Sequence, residues 1–170
     1  MDNATESPAV VTTYLEMTSS AELRPKRSED PLFRVREVTE RDWRLNRAMY
    51  LSVGQPWAWN DKRRWSDERW QAYIGTDALR TVLGEYDGDI AGYFELHRER
   101  DEVEIAYFGL LPQFIGRGLG GALLTSALET AWESNAARVW VHTCSHDHPA
   151  ALQNYGARGL RIYKTSRRPA

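Results

Sequence analysis

The 170-residue chain has one cysteine, Cys144. No disulfide can form within it, and such sparse usage fits a reducing compartment. No apolar run approaches the ~20 residues that span a bilayer, which excludes a membrane helix as the organising element. The opening stretch MDNATESPAVVTTYLEM is acidic and lacks the charged-then-apolar order of a secretion signal. Charge of one sign is scarce as well. With 22 Lys and Arg against 24 Asp and Glu, the formal net charge is −2. That balance offers no electrostatic footprint for nucleic acid, and only the tail YKTSRRPA is locally basic. There is no internal repeat and no low-complexity tract. Together these absences lead to the expectation of a cytoplasmic, soluble protein whose partner is neither nucleic acid nor membrane.

What is present is ordinary for a folded domain: 42% hydrophobic and 27% charged residues, in a length that allows one proper core. Residues 1–31 read as an N-terminal arm in which Val10 to Met17 has the pattern of a short edge strand, and residues 32–170 read as the main domain. LFRVREV alternates as a first strand. Thr39 stands as the N-cap of a helix reaching Val53, with Asp42 three residues on, and Ser66 as the cap of a second helix. LRTVLGEYDGDIAGYFELHRE reads as a hairpin turning at Asp87-Gly88, and VEIAYFGLL as a central strand. A helix with Leu119, Leu123, Leu124, Ala127, Leu128, Ala131 and Trp132 on one face follows. Then come the strand ARVWVHTC, a short helix with Pro149 at its first position, and a last strand GLRIYKT. The expected order is β-α-α-β-β-β-α-β-α-β, an α/β domain on a mixed sheet.

Four glycines, Gly116, Gly118, Gly120 and Gly121, fall within six residues at the mouth of the third helix. Each costs ~0.5–1 kcal/mol of backbone entropy, so a tight turn alone is a poor reason for four. Gly116-x-Gly118-x-x-Gly121 satisfies a dinucleotide fingerprint, but no acidic residue stands ~20 positions later and the loop does not open the fold. No Gly-Lys-Ser/Thr is present for a nucleoside triphosphate loop. Bare amides at a helix N-terminus fit a pyrophosphate, and the strand just before them offers backbone groups to an extended amide arm. Coenzyme A has both parts.

VEIAYFGLLPQFIGRGLGGALLTSALETAW resembles the central acyl-CoA motif of the GNAT N-acetyltransferase superfamily, and HPAALQNYGARGLRIYK resembles its later segment. The likeness runs from about Leu32 to Thr165. It implies a GNAT-like fold, a mostly antiparallel central sheet flanked by helices, with acetyl-CoA as acyl donor and an amine as acceptor. It assigns the cofactor to the backbone of Phe108, Gly109, Leu110 and Leu111, where Gly109 would permit a bulge, and to Gly116, Arg117, Gly118, Leu119, Gly120 and Gly121. The usual Arg or Gln of the motif is Ile115 here, and the Asn that often opens the later helix is His148. Tyr155 matches the family's general acid. Glu104 matches the glutamate base of its histone-acetylating branch and is expected to share a strand face with Ala106 and Phe108. Glu95 or a water relay are the other base candidates.

HTCSHDHP places His142, Cys144, His146 and His148 at alternate positions, which cannot easily close a tetrahedron around one ion, and no metal site is assigned. Four of the seven tryptophans, Trp57, Trp59, Trp65 and Trp70, fall within fourteen residues. Trp70 reads as core. Trp57 and Trp59 lie in a loop and form a candidate aromatic pocket for the acceptor amine, with Asp61 and Asp67 as carboxylates for a cation. The reading is an N-acetyltransferase acting on a small-molecule primary amine. Its alternatives are a non-catalytic acyl-CoA-binding module and a protein N-terminal or lysine acetyltransferase. Homodimerisation through the arm or an edge strand is left open.

Overall fold

The computed structural model describes residues 8–169; the first seven residues of the arm, and Ala170, lie outside that range. The strands are β1 (Val10–Met17), β2 (Phe33–Val38), β3 (Leu79–Tyr86), β4 (Asp89–Glu99), β5 (Glu102–Leu110), β6 (Arg138–Cys144) and β7 (Arg161–Arg168). The helices are α1 (Trp43–Gly54), α2 (Asp67–Ile74), α3 (Gly120–Trp132) and α4 (Ala151–Ala157). The strands form one sheet in the order β2-β3-β4-β5-β6-β1-β7. Every neighbouring pair is antiparallel except β5 and β6. That pair is joined through α3, the long crossover that a parallel connection requires.

The sheet is covered on both faces. On one, α3 buries Leu123, Leu124, Ala127, Leu128 and Ala131 against Phe94, Ile105, Val139 and Val141. On the other, Met49 and Val53 of α1 pack on Leu83 and Tyr93. The Asp87-Gly88 turn has φ of 50° and 84°, the left-handed pair that a two-residue hairpin needs.

Four local expectations are corrected. First, β1 is not an edge strand: it lies between β6 and β7 and bonds to both. Its Val10, Leu15 and Met17 are buried, whereas β7, exposed along its whole length, takes the edge. Second, α1 is capped by Asp42, whose side chain accepts from the Arg44 N–H, and not by Thr39. β2 runs to Val38, so Thr39 belongs to the turn between strand and helix. Third, α4 starts at Ala151 and Pro149 precedes it in a turn.

The fourth correction reaches the site. The bulge in β5 falls at Ala106, because Glu95 pairs with Tyr107 while Leu96 pairs with Ile105. One extra residue flips every side chain after it. Phe108 therefore joins Val103 and Ile105 on the α3 face, while Tyr107 packs with the α1 cluster on the face of Glu104. Gly109 serves close packing instead of a bulge. A Cβ there would sit 2.5 Å from Val53 Cγ1.

The arm between β1 and β2 is fastened at Gly159, which has φ +104° and leaves room for the Glu22 carbonyl. Beside it the Arg24 N–H donates to the Arg158 carbonyl at 2.9 Å. A Cβ on Gly159 would fall 2.1 Å from Glu22 O, a backbone atom. Gly159→Ala is expected to cost about 3 kcal/mol or more, a fall in Tm of roughly 6–12 °C by calorimetry. An unchanged Tm would mean that the arm is not held there.

Candidate active site

β5 and β6 pair only as far as Glu104 and Trp140. Beyond that point the two strands part, and a cleft of about 1250 Å³ opens between them. Its walls come from Glu104 to Leu110 on β5 and from Val141, His142 and Cys144 on β6. The Leu111 N–H donates to Ala91 O of β4 at 2.8 Å. By strand alternation the main-chain groups of Phe108 and Leu110 face the other way, into the gap. Leu111 is thus bonded away from the cleft, and Phe108 and Leu110 are left to address it.

The glycine loop closes one end. Gly116 and Gly118 have φ of +82° and +78° with open space around them, so glycine is required by conformation and not by crowding. α3 then begins without any side-chain cap and without an acidic residue in its first turn. Its first N–H groups have no intrahelical acceptor, and its dipole is unopposed. Gly116, Gly120 and Gly121 line the cleft. The other predicted loop residues do not. Gly118 is exposed. The Arg117 guanidinium lies over Tyr86 and Phe114, 5.4 and 5.2 Å from their ring centres. Leu119 is buried with Phe114 and Ala91.

Tyr155, on α4, is 5% exposed and lines the cleft, its ring 6.1 Å from that of Phe108. Burial, followed by the charge of Asp147, pushes its phenol well above the ordinary tyrosine value. It therefore stays protonated until a strong base appears beside it.

Glu104 stands at the fork itself. Burial pushes its carboxyl up, while His142, His97 and Lys62 pull in the opposite direction. His142 Nε2 is 3.7 Å from Glu104 Oε1, and His97 is its partner in the β4 register. Glu95, the second base candidate, is 1% exposed and does not line the cleft. Its carboxyl accepts from Asn46 Nδ2 at 2.8 Å and from Tyr73 OH at 2.6 Å. It ties α1 and α2 to the sheet.

Trp57 and Trp59 both line the cleft and bridge it. Trp59 Nε1 donates to Asp147 Oδ1 at 3.3 Å, and the Trp57 ring meets His148 edge-on at 4.9 Å. Asp147 in turn accepts from Thr143 Oγ1 and from the Cys144 N–H. The loop after α1 is thus strapped to the loop after β6.

Beside these two rings the chain carries a cation cage of its own, in which Trp57 and Trp59 take no part. Lys62 Nζ lies 4.4 Å from the Trp65 ring centre and 4.9 Å from those of Tyr73 and Tyr107. It donates to Tyr107 OH at 2.9 Å and to Asp61 at 3.2 Å. Asp61 lines the cleft, whereas Asp67 opens α2 outside it. Lys62, Tyr107, His97 and Asp147, with Thr12 and Tyr14 of β1, are among the cleft residues that the sequence pattern did not single out, and His142 figures there only as a metal ligand. Only the Lys62 and Tyr107 aromatic neighbourhood left a signal, in the density of Trp and Tyr.

Residues 34–160 match the family model described as Acetyltransferase (GNAT) family. The chain belongs to the GNAT acetyltransferase family. A protein of Mycobacterium tuberculosis described as an uncharacterized N-acetyltransferase is 35% identical over 102 residues, 59% of this chain and 64% of that relative. The mycothiol acetyltransferase of Nocardia farcinica is 39% identical over 85 residues, 49% of this chain and 26% of its own length. A GCN5-related N-acetyltransferase from Sphaerobacter thermophilus superposes with a TM-score of 0.73 at 17% identity, covering 94% of this chain and 50% of that one. The chain thus spans less than two thirds of these curated relatives. The family match begins after β1 and the arm, so the GNAT pattern does not account for Thr12 and Tyr14 in the cleft wall.

Burial alone would raise Asp61, but hydrogen bonds from Tyr107 and Tyr50 and the charge of Lys62 outweigh it and hold it below the ordinary aspartate value. A carboxyl lowered on folding adds stability above its unfolded value, and that stability drains away as pH falls through the folded value. The gap in urea midpoint between the protein and Asp61→Asn should therefore be widest near neutral pH and narrow toward about pH 2. A gap constant with pH would mean that Asp61 carries no such charge.

Proposed function

We propose that this GNAT family member is an N-acetyltransferase that moves an acetyl group from acetyl-CoA to the primary amine of a small molecule, by direct attack within a ternary complex. One observation carries the reading. A single cleft runs from the uncapped N-terminus of α3, past Tyr155 and the free main chain of Phe108 and Leu110, to Glu104 at the fork. A diphosphate fits the first part, because bare N–H groups and an unopposed dipole favour an anion. An extended amide arm fits the second, where β5 has no strand partner on its β6 side.

Acetyl-CoA supplies an activated acetyl thioester when bound. The chain's own groups supply the rest. A main-chain N–H of Phe108 or Leu110 is available to polarise the carbonyl. Glu104, its carboxyl raised by burial and so made a stronger base, takes in its carboxylate form a proton from the acceptor ammonium and frees its lone pair. Tyr155, held protonated by burial, gives a proton to the departing sulfur, whose thiol titrates near ~8.5 in ordinary surroundings. Only after the amine has attacked does that donor find a base.

The strap of Trp57 and Trp59 over to Asp147 and His148 supports a small acceptor over a folded protein surface, since it narrows the way in. Cys144, unpaired and facing the cleft, is in keeping with a reducing cytoplasm.

The reading is tested in two steps. Calorimetry with acetyl-CoA and with CoA should detect binding of both. Thiol release should then be followed with amino acids and their amides, polyamines, aminoglycosides and lysyl peptides. Tyr155→Phe should lower kcat on the order of tenfold to a hundredfold and leave the acetyl-CoA Kd nearly unchanged. Binding without turnover on the whole panel would favour a non-catalytic acyl-CoA-binding module, and turnover confined to peptides would favour a protein acetyltransferase.

A further inference from the structure

Glu104 does not meet the fork alone. It is the last residue of β5 paired to β6, and its carboxyl is 24% exposed. Two positions beyond its partner Trp140, His142 projects from β6 with its side chain 48% exposed, so one imidazole reaches both the carboxyl and solvent. Every element around it adds a group. Tyr14 of β1 is its register partner, with ring centres 5.6 Å apart. Lys164 of β7 lies 4.9 Å from the Tyr14 ring centre. Trp140, on the same strand, is 6.2 Å from the His142 ring. His97 of β4 and Lys62 of the loop after α1 act on Glu104 from the other side. Among these, His142 is the one that brings a ring nitrogen to 3.7 Å from the Glu104 carboxyl, and its side chain is 48% exposed.

The reaction makes such a group useful. Acetylation of an ammonium by a thioester gives an amide, a thiol and one net proton. Glu104 as carboxylate takes the first proton from the acceptor nitrogen and becomes a carboxylic acid. The second nitrogen proton, lost after the N–C bond forms and the C–S bond breaks, replaces the one that Tyr155 gives to sulfur. The surplus proton is on Glu104 and has to leave before the next turnover. A half-buried carboxyl under a bound acceptor has little direct access to water.

We propose that His142 is the positioning partner and proton outlet of Glu104, accepting the proton from its carboxyl and releasing it to solvent. This rests on the reading of Glu104 as base. The 3.7 Å separation shortens to a hydrogen bond with a small rotation of either side chain. In the transfer, the Glu104 O–H bond breaks, an N–H bond forms at His142 Nε2, and the imidazolium then loses a proton to water. A tilted contact with the Tyr14 ring, interplanar angle 45°, orients the imidazole for both exchanges.

The experiment measures kcat, at saturating acetyl-CoA and saturating levels of the fastest acceptor of the amine panel, for the unaltered protein, His142→Ala, His142→Gln, Glu104→Gln and the double variant Glu104→Gln/His142→Ala. His142 is half-exposed, and the glutamine variant guards against a packing loss. Both His142 variants should fall on the order of tenfold with an unchanged acetyl-CoA Kd. Millimolar imidazole should restore His142→Ala, and more so at about pH 8 than at about pH 6, because the neutral ring is the acceptor. In the Glu104→Gln background, His142→Ala should cost nothing further. Full activity of the His142 variants, absence of imidazole rescue, or an equal loss in both backgrounds would overturn the outlet. A Glu104→Gln variant as active as the unaltered protein would instead overturn Glu104 as base, and so separates failure of that reading from failure of this one.

Discussion

The parting of β5 from β6 after Glu104 is the constraint on which the rest of the molecule depends. A parallel pair fixed by a crossover helix would ordinarily stay bonded along its length, and unpaired main chain inside a domain is expensive. Here the pairing stops after three residues on each strand. The bulge at Ala106 coincides with the point of separation. It adds twist to β5 and turns Phe108 toward α3, so the strand leaves its neighbour without leaving the sheet. What is gained is a cleft with main-chain donors in one wall, a carboxyl at its apex and a helix N-terminus at its mouth. The opposite flank needs support, because β6 has lost its partner over its outer half. β1 provides it by pairing with β6 from Met17 to Thr12, across to Cys144.

That arrangement explains which features were legible in the sequence. Glycine at Gly116 and Gly118 is demanded by positive φ, and Asp87-Gly88 by the hairpin turn, so composition reported them directly. The apolar face of α3 is a local periodicity, and it too could be read. The place of β1 could not, because Val10 to Met17 has the same alternation at an edge as between two strands. Only the exposure of β7 decides between them. The bulge left no mark either. Ala106 is small and unremarkable, yet it reverses Phe108 and Tyr107 relative to Glu104, so a strict two-residue period assigned the wrong face. Thr39 and Asp42 are both good caps. The choice fell on Asp42 because β2 keeps the chain extended up to Val38.

The tryptophan-rich loop carries a cation site of its own beside the candidate acceptor pocket of Trp57 and Trp59. Dense aromatics beside a carboxylate are a fair prediction of a cation site. The structure contains that site, with Trp65, Tyr73, Tyr107 and Asp61 around an ammonium, and Lys62 fills it. With its charge neutralised by Asp61 and its faces covered by rings, Lys62 fastens the loop to β5 through Tyr107. Trp57 and Trp59 do not face the ammonium; Trp59 packs on the cage wall Tyr107 at 5.1 Å between ring centres, and the two rings extend across the cleft to His148 and Asp147. The loop is held at one end by a cation and at the other by Asp147, which also bonds to Thr143 and Cys144 at the end of β6.

Two ends of the cleft therefore answer to different parts of the chain. The end proposed for the donor is built from the β5–α3 crossover and α4, the segments whose sequence resembles the GNAT pattern, and its shape is set by backbone conformation. The end proposed for the acceptor is assembled from side chains on β1, β4, β6 and the loop after α1. β1 lies outside the family match, and backbone geometry imposes no residue type on its Thr12 and Tyr14. In the proposed reading, kinship along residues 34–160 bears on the thioester and little on the amine. Groups such as Tyr14, His97 and His142, whose identity the fold leaves free, would then select the acceptor. A change at any of them would alter the amine that is accepted while the glycine loop and Tyr155 stay as they are.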